Sequence, residues 1–310
     1  MEHLMKHLMK SLMGRLSGNL AGSFLTVCTL CLAIPAQAVD FEGSLAEGKF
    51  TRYIPAISNP LFNETPYITT EIRPILLVNE IPGDFVTSGG TIKIIAAEIR
   101  IALSDRLGII ATKDGYAELD FDSLLPDEEG GANVSLGLKY ALYADPATNS
   151  IFTVGFEYEI PVGSLETGGI SLQGDGDGFV DLFASGATTS GKWGFQGNVG
   201  YNKALDSDHD SSMIHLSGHV NYQLNDMVYP TLELNVFSTT NNGNRLPFDF
   251  EGLDLVNFGN SDSGTVTTFA VGSRFVFNDN VSLGVAYEQP LSSREDIMDW
   301  RTYADLVISL

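Results

Sequence analysis

The sequence predicts an all-β protein: a closed antiparallel transmembrane β-barrel of about 12 strands that follows a cleaved signal peptide. The first observation is a period of two, in which Phe152, Val154 and Phe156 alternate with Thr153 and Gly155. This alternation gives a strand one apolar and one polar face. The second observation is that the connectors between such segments alternate between short and long. Bacterial outer-membrane barrels have short periplasmic turns and long external loops, so both observations favour that fold.

The N-terminus has the order of a secretory signal peptide. Lys6, Lys10 and Arg15 precede an apolar stretch at 20–34, which ends in the small-residue sequence of 36–38. A basic region, an apolar region and a small-residue cleavage site are typical of exported proteins, and the apolar region is too short for a membrane-spanning helix. We therefore expect three parts: a signal peptide at residues 1–38, an N-terminal periplasmic or plug segment at 39–65, and an outer-membrane β-barrel at 66–310.

Both cysteines of the chain lie in the predicted signal peptide. A lipoprotein anchor at Cys28 or Cys31 is the alternative, although the bulky Val27 and Leu30 precede them. Cleavage after residue 38 leaves a mature chain without cysteine, which excludes disulfides and thiolate metal sites there.

The mature chain is strongly acidic. The full chain has 39 acidic and 17 basic residues; the predicted cleavage removes Glu2, Lys6, Lys10 and Arg15, which leaves 38 against 14, a net charge of −24. Nucleic-acid binding requires a basic face, so this composition argues against a nucleic-acid partner. No uninterrupted apolar run of about 18 residues follows the signal, so strands rather than helices would cross a membrane.

The alternation and the turn residues give twelve strands in order. We predict them at 67–79, 91–103, 107–113, 133–143, 151–162, 179–189, 192–203, 212–224, 227–238, 265–277, 280–290 and 299–310. The connectors after the even-numbered strands are short and rich in Asn, Asp, Ser and Gly, as turns require. The connectors after the odd-numbered strands are long, and that at 239–264 is the longest. A soluble antiparallel sandwich with uneven loops is the alternative interpretation.

The two faces of the predicted strands differ in charge. The more apolar parity includes Ile95, Ile99, Leu136, Leu138 and Val199, and the middle of this set has no charged residue. We predict that this face contacts lipid and that the opposite parity lines the lumen. The predicted lumen or constriction residues are Glu71, Arg73, Glu98, Arg100, Lys139, Glu157, Glu159, Glu233, Arg274 and Glu288; Arg301 and Asp305 share their parity.

A register prediction follows for the first two strands. If residues whose numbers sum to about 171 lie opposite each other, Glu71 faces Arg100 and Arg73 faces Glu98. Opposite charges at such cross-strand positions stabilise the pair. We expect this cluster, together with Lys139 and the two glutamates of the fifth strand, to form a charged constriction with a weak preference for cations.

Several short motifs resemble a known family. They are Gly137-Leu138-Lys139-Tyr140, Glu159-Ile160-Pro161-Val162-Gly163, Asp181-Leu182-Phe183, Gly197-Asn198-Val199-Gly200-Tyr201, Val220-Asn221-Tyr222-Gln223-Leu224 and the stretch 281–287. Over most of 130–310 the chain resembles outer-membrane transporters of the meta-pathway phenol-degradation type. The resemblance implies an outer-membrane transporter. Leu306, Ile308 and Leu310 resemble the signal read by the barrel-assembly machinery, except that the chain ends in Leu rather than an aromatic residue.

Candidate metal chemistry is confined to acidic loops. Asp175 and Asp177 alternate with glycines, and Asp181 follows, a partial match to a calcium loop. A flexible external turn is the alternative. A second acidic loop contains Asp206, Asp208 and Asp210, and external loops of this kind could hold Ca²⁺ that bridges lipopolysaccharide phosphates. Apart from this possible Ca²⁺, we expect no cofactor.

The histidines do not indicate a catalytic or metal site. His215 and His219 are four residues apart on one strand, which separates them by about 13 Å, too far to share one metal ion. A membrane lipid hydrolase would need a serine–histidine pair oriented by a third polar group, and no motif for one is present.

The sequence therefore predicts a passive channel or transporter for small solutes in the outer membrane of a Gram-negative bacterium, and not an enzyme. Its expected partners are outer-membrane lipid and lipopolysaccharide, the barrel-assembly machinery and a small-molecule solute. A closed structural or adhesive barrel is the main alternative, and a membrane-embedded lipid hydrolase is the second.

Overall fold

A computed structural model describes residues 40–46, 49–174, 176–246, 249–259 and 264–310. The predicted signal peptide at residues 1–38 lies outside the described residues. Within the described part, no helix has the length and apolar character that crossing a membrane requires.

The described residues form a short 3-10 turn at Gly43–Leu45 and sixteen strands. The strands are β1 (Glu71–Ile81), β2 (Gly90–Ala102), β3 (Leu107–Ala111), β4 (Tyr116–Phe121), β5 (Glu128–Gly131), β6 (Val134–Asp145), β7 (Ser150–Ile160), β8 (Glu166–Thr167), β9 (Ile170–Ser171), β10 (Phe179–Ser190), β11 (Trp193–Ala204), β12 (Ser212–Tyr222), β13 (Val228–Asn241), β14 (Thr265–Asn278), β15 (Val281–Pro290) and β16 (Trp300–Ser309).

Twelve of these strands close into a barrel. They are β1, β2, β3, β6, β7 and β10 to β16, each antiparallel to its neighbours. Closure is made by β1, which pairs with β2 on one side and with β16 on the other. The closed antiparallel barrel predicted from the alternation of side chains is confirmed. Its twelve strands agree with the predicted segments to within a few residues.

The predicted connector at 114–132 is corrected by the structure, because β4 and β5 form within it and pair with each other. Here the buried Ala117 and Leu119 alternate with the exposed Tyr116, Glu118 and Asp120. This alternation is a strand pattern with charged groups on its outer face, so the hairpin extends the barrel wall beyond the apolar belt.

The first strand starts four residues later than its predicted position at residue 67. The backbone of Ile68 bonds to Ser44, whose N–H and hydroxyl donate to the Ile68 carbonyl and whose Oγ accepts from the Ile68 N–H. Because these groups bond within the N-terminal segment, they are not available to a barrel neighbour, and β1 starts only at Glu71.

The outer face carries the apolar belt. Ile95, Leu136 and Val199 are exposed, with 66%, 54% and 47% of their surface accessible. The opposite parity is buried inside the barrel, where it carries most of the charged side chains of the strands. This inversion of the usual soluble pattern places the apolar face against lipid and the charged face in the lumen.

Candidate functional site

All ten predicted lumen residues point into the barrel and are buried. They are Glu71, Arg73, Glu98, Arg100, Lys139, Glu157, Glu159, Glu233, Arg274 and Glu288, and each has less than a tenth of its surface accessible. Strand alternation places them there, because successive side chains of a strand point to opposite faces. Their contacts divide them into groups that differ in charge.

The first group lies on β1 and β2, in the predicted register. Glu71 is opposite Arg100 and Arg73 is opposite Glu98, so the register prediction is confirmed. Arg100 Nη1 lies 3.0 Å from Glu71 Oε1 and 2.7 Å from Glu98 Oε2, and Arg73 Nη1 lies 3.3 Å from the same Glu98 oxygen. The two pairs are therefore joined into one network through Glu98.

A second group extends the network around the wall to β14 and β16. The Asp305 carboxylate accepts from Arg73 Nη2 at 2.6 Å and from Arg274 Nη1 at 2.8 Å. Gly284 lies between Arg274 and Asp305 on β15, and a Cβ there would come within 2.9 Å of both. The absence of a side chain at this position lets the ion pair pass over the intervening strand.

Residues 50–70, which we call the lumen segment, enter the barrel before β1. Glu64 in this segment lies between two basic residues of the wall: its carboxylate is 2.5 Å from Arg100 Nη2 and 2.6 Å from Lys139 Nζ. Lys139 Nζ also donates to the carbonyls of Thr65 and Tyr67. Arg100 is thus bound to the segment as well as to the wall, whereas the Lys139 ammonium is bound by the segment.

Acidic and basic side chains of the wall both bind the turn around Ile57. The Glu233 carboxylate accepts from the Ile57 and Ser58 amides at 2.8 and 2.6 Å. On the other side, Arg73 Nη2 donates to the Ala56 carbonyl at 2.8 Å and Arg274 Nε donates to the Pro55 carbonyl at 3.1 Å. The segment backbone has few internal hydrogen bonds, and the lumen side chains take the place of a sheet neighbour.

Glu157 and Glu159 belong to a different group from Lys139, although we expected one constriction. Glu157 accepts from the Thr112 amide and hydroxyl at 2.8 and 2.7 Å, and from the Ser135 hydroxyl at 2.6 Å. Glu159 pairs with Lys113 at 2.7 Å. The two carboxylates therefore line a more acidic arc of the wall, bound mainly by hydroxyl and amide donors.

The long loop between β13 and β14 folds into the external end of the barrel. Leu253, Leu255, Val256 and Phe258 are buried and pack in one cluster with inward side chains of the wall. Asp254 lies among them, and its carboxylate is 2.7 Å from Arg301 Nη1 of β16. The external closure is thus an apolar contact that includes a buried ion pair to the wall.

The histidines are lumen residues, as their parity predicted. His215 Nε2 is 2.8 Å from Asp181 Oδ1, and His219 Nδ1 is 2.7 Å from Glu233 Oε1. Asp181, a candidate calcium ligand, thus lies in β10 facing the lumen, where its carboxylate is bound to an imidazole. The structure does not place Asp181 in a calcium loop with Asp177.

The two acidic loops lie side by side at the external end. A Cβ on Gly176 would come within 2.7 Å of Asp206 and within 3.1 Å of Asp210, and Asp210 is 3.3 Å from Arg245 Nε. Asp175 lies outside the described residues. Among the residues that are described, no group of three or more His, Cys, Asp or Glu side chains is placed to hold a metal ion.

Sequence reasoning missed Glu64, Lys113 and Asp254 as lumen residues. Glu64 and Asp254 lie outside the predicted strands, so parity could not assign them a direction. Lys113 was the last residue of the third predicted strand, but β3 ends at Ala111, so strand alternation does not fix its direction. One signal for Glu64 was available: Lys139, on the lumen parity of the fourth predicted strand, had no acidic residue assigned opposite it, which implies an acidic partner from elsewhere in the chain.

Comparison with solved structures supports the fold. The chain is similar to an outer membrane channel from Pseudomonas putida F1, at 16% sequence identity over 82% of this chain and 100% of that chain, with a TM-score of 0.58. It is more distantly similar to the NanC porin, at 8% identity, 78% and 100% coverage and a TM-score of 0.47. A KdgM porin in complex with disordered oligogalacturonate matches at 10% identity, 77% and 99% coverage and a TM-score of 0.44.

No protein-family model matches the chain, and no curated protein matches it. At 16% identity, the likeness to the Pseudomonas channel establishes the barrel fold.

Proposed function

We propose that the protein is an outer-membrane channel that conducts small solutes passively, and that the structure represents its closed state. The apolar belt is the surface that outer-membrane lipid would cover, and the long external loops would face the lipopolysaccharide. Insertion would require the barrel-assembly machinery. Fractionation with the outer membrane tests this location, and recovery only in the soluble periplasm would contradict it.

The organisation of the charged contacts carries this proposal. The ion pairs between strands run along the wall, joining neighbours such as β1 with β2 and β1 with β16, or next neighbours such as β14 with β16. Groups in the middle of the barrel are supplied by the lumen segment and by the β13–β14 loop. Both are irregular pieces of chain bound by side chains.

The consequence is that the closure can be withdrawn without breaking the wall. If the lumen segment moved out, the strand ladders and the pairs along the wall would remain. They would surround a lumen lined by charged groups. A barrel of twelve strands is intermediate between eight-stranded barrels filled by side chains and sixteen-stranded porins, so a narrow aqueous passage would result. The charged lining would then set selectivity.

A closed structural or adhesive barrel is the second candidate, since the lumen is filled in this state. Its loops would carry the function and its lumen segment would never leave. A lipid hydrolase has less support, because the buried His215 and His219 face the lumen, away from the lipid surface. Each is bound to a carboxylate of the wall.

Ion conductance in planar bilayers is the decisive measurement. We expect discrete channel openings from the purified protein and a weak preference for cations, because acidic residues outnumber basic ones on the lumen wall. Replacing both Glu157 and Glu159 by Gln should shift the reversal potential toward anions. An unchanged reversal potential in a conducting double variant would remove these residues from the pathway.

Lack of any conductance, in the parent protein and in variants with a loosened lumen segment, would favour the structural barrel. The control for the double variant of Glu157 and Glu159 replaces Glu118 and Glu129 by Gln, on the external β4–β5 hairpin. These residues lie outside the lumen, so the pair should leave the reversal potential unchanged.

A further inference from the structure

The lumen segment brings a single acidic side chain into the barrel. Its sequence contains two charged residues, Arg52 and Glu64. Arg52 lies at a periplasmic turn, where its guanidinium donates to the Gly191 and Lys192 carbonyls. Glu64 is buried, and both basic side chains that contact its carboxylate belong to the wall. One carboxylate therefore carries the ionic contact between the segment and the wall.

The Arg100 guanidinium is divided between the wall and the segment. Its Nη1 atom is 3.0 Å from Glu71 and 2.7 Å from Glu98, both of the wall. Its other edge binds both oxygens of Glu64, with Nε 3.0 Å from Oε1 and Nη2 2.5 Å from Oε2. Two such bonds to one carboxylate are the bidentate geometry by which Arg recognises carboxylates. The wall thus fixes one edge of Arg100 and presents the other edge to a carboxylate.

Lys139 supplies the second cation of this site. Its ammonium is 2.6 Å from Glu64 Oε1 and donates to the carbonyls of Thr65 and Tyr67. All three of these partners belong to the lumen segment. If the segment moved out, the ammonium would lose them together, whereas Arg100 would keep its two glutamates on the wall. The open lumen would then present an unpaired ammonium beside a free guanidinium edge.

The charges around this site define the charge of a ligand. A connected network of ion pairs contains four basic and four acidic side chains, namely Arg73, Arg100, Lys139, Arg274, Glu64, Glu71, Glu98 and Asp305. The network is neutral while the segment is in place. Without Glu64, four bases face three acids, a net charge of +1. A buried charge without a partner is unfavourable, and one negative charge would restore neutrality.

We propose that Arg100 and Lys139 form a binding site for the carboxylate of a small monocarboxylic acid, and that Glu64 occupies this site in the closed state as a tethered competitor. The proposal deepens the proposed channel function and rests on it for the consequence of binding: a solute that takes the place of Glu64 releases the lumen segment. The site itself can be tested without any measurement of conductance.

The surroundings of the site limit the ligand to one charge. Beyond the two cations, the wall that contacts this part of the segment is uncharged: the Thr153 hydroxyl donates to the Pro66 carbonyl at 2.6 Å, and the Asn198 amide donates to the Glu64 carbonyl at 3.4 Å. The next charged side chain that β7 turns inward is Glu157, which is itself acidic. A second carboxylate would therefore find no cation of its own. A neutral amide of the same shape would present N–H groups to the two cations and bind poorly.

The site is tested by calorimetric titration of propionate into the purified protein in detergent. The parent protein binds with a penalty, because Glu64 fills the site in most molecules. Glu64→Ala removes the competitor, so it should bind propionate at least about tenfold more tightly than the parent does. The same gain is expected in Glu64→Gln, which preserves the length of the side chain. Glu118→Ala, on the exposed face of β4, is the matched control and should bind as the parent does.

Two further measurements identify the binding groups. Propionamide, which has the shape of propionate without its charge, should not bind Glu64→Ala, and Lys139→Gln in the Glu64→Ala background should remove the gain. Heat-modifiable migration shows whether each barrel is folded. Propionate binding to a folded Glu64→Ala or Glu64→Gln barrel that is no tighter than binding to the parent would overturn the site. Equal binding of propionamide, or a gain that persists in Lys139→Gln, would also overturn it.

The role of Glu64 as a competitor is tested by recording from planar bilayers. Propionate should raise the open probability of the parent with saturation, and propionamide should leave it unchanged. In Glu64→Ala the segment is already released, so propionate should have no further effect on opening. An open probability of the conducting parent that does not respond to propionate would overturn the competition. If Glu64→Ala binds propionate as expected but neither protein conducts ions, the channel proposal fails while the carboxylate site stands.

Discussion

Replacing Glu64 by Gln should release the lumen segment. In the parent structure the Glu64 carboxylate accepts from Arg100 Nε and Nη2 at 3.0 and 2.5 Å and from Lys139 Nζ at 2.6 Å. The amide of Gln retains one acceptor oxygen, but it has no charge and presents N–H groups to the two cations. Both cations are buried, so neither can be rehydrated while the segment stays in place.

The size of the effect follows from the cost of unpairing buried charge. Removing one partner of a buried ion pair destabilises a structure by about 3–5 kcal/mol, because the remaining charge is left uncompensated. Here Arg100 keeps Glu71 and Glu98, and Lys139 keeps two carbonyls, so we take the lower half of that range. At about 1.4 kcal/mol per factor of ten, the ratio of closed to open lumen should fall by between about two and three orders of magnitude.

The assay is single-channel recording in planar bilayers, with open probability as the readout. Glu118→Gln, the same chemical change on the exposed face of β4, is the control and should behave as the parent does. Heat-modifiable migration on gels shows whether each barrel is folded. A folded Glu64→Gln barrel whose open probability equals that of the parent would refute the idea that this contact holds the lumen closed.

Three further predictions concern the belt and the external loop. Leu136→Arg, on the lipid face of β6, should cost roughly 2–4 kcal/mol of stability in urea unfolding from lipid vesicles, and tolerance equal to that of an exposed loop site would argue that this face does not contact lipid. Asp254→Asn should destabilise the packed position of the β13–β14 loop inside the barrel by about 1–3 kcal/mol, because Arg301 loses its charged partner. Brief closed intervals in single-channel recordings should therefore become shorter. Burial raises the pKa of Glu251. Hydrogen bonds from Ser211 and from the amides of neighbouring loop residues lower that pKa, but burial has the larger effect, so the packed loop favours the neutral acid. The neutral Glu251 side chain stabilises the packed loop fully below the ordinary pKa of Glu, and this stabilisation is lost as pH rises through the raised pKa. Open probability should therefore increase with pH, and Glu251→Gln should abolish that increase.

Gly137, the lumen-facing neighbour of Leu136, is not a usable matched control for Leu136→Arg. A Cβ at Gly137 would lie 2.0 Å from the Phe156 carbonyl oxygen. Any side chain at Gly137 would collide with β7, so substitution there reports on close packing rather than on lumen chemistry.

The barrel strands were predictable from sequence because their side chains alternate with a period of two. Alternation gave the inward and outward faces, and opposite charges two residues apart on β1 and β2 gave their register. Short turns rich in Asn, Asp and Gly marked the periplasmic ends. These signals are local, so a single sequence contains them.

The contents of the lumen were not predictable in the same way. The path of residues 50–70 depends on contacts between groups far apart in the chain, such as Ile57 with Glu233 and Glu64 with Lys139. No periodicity indicates the direction of such a segment. The β4–β5 hairpin was missed for a different reason: its outer face is charged and its inner face apolar, the opposite of a membrane strand, so it reads as a loop within a membrane protein.

The two closures of the lumen differ in chemistry, and this difference has a consequence for transport. The lower closure is made by ion pairs and charge-assisted hydrogen bonds around Glu64 and Glu233, whereas the upper closure packs Leu255 and Phe258 against apolar wall residues. A solute that enters from outside must first displace apolar contacts and then charged ones, so neither movement alone gives a continuous passage. The lower closure involves residues near the periplasmic end of β1 and the upper one a loop at its external end. The two closures contact each other, because Ile57 and Phe62 of the lumen segment pack in one cluster with Leu255 and Phe258. Substitutions at sites that share contacts are coupled, so their free-energy effects need not add. The double variant of Glu64→Gln and Asp254→Asn should be more open than either single variant, with a departure from additivity that measures this contact. A double variant no more open than Glu64→Gln alone would mean that the upper closure does not limit passage.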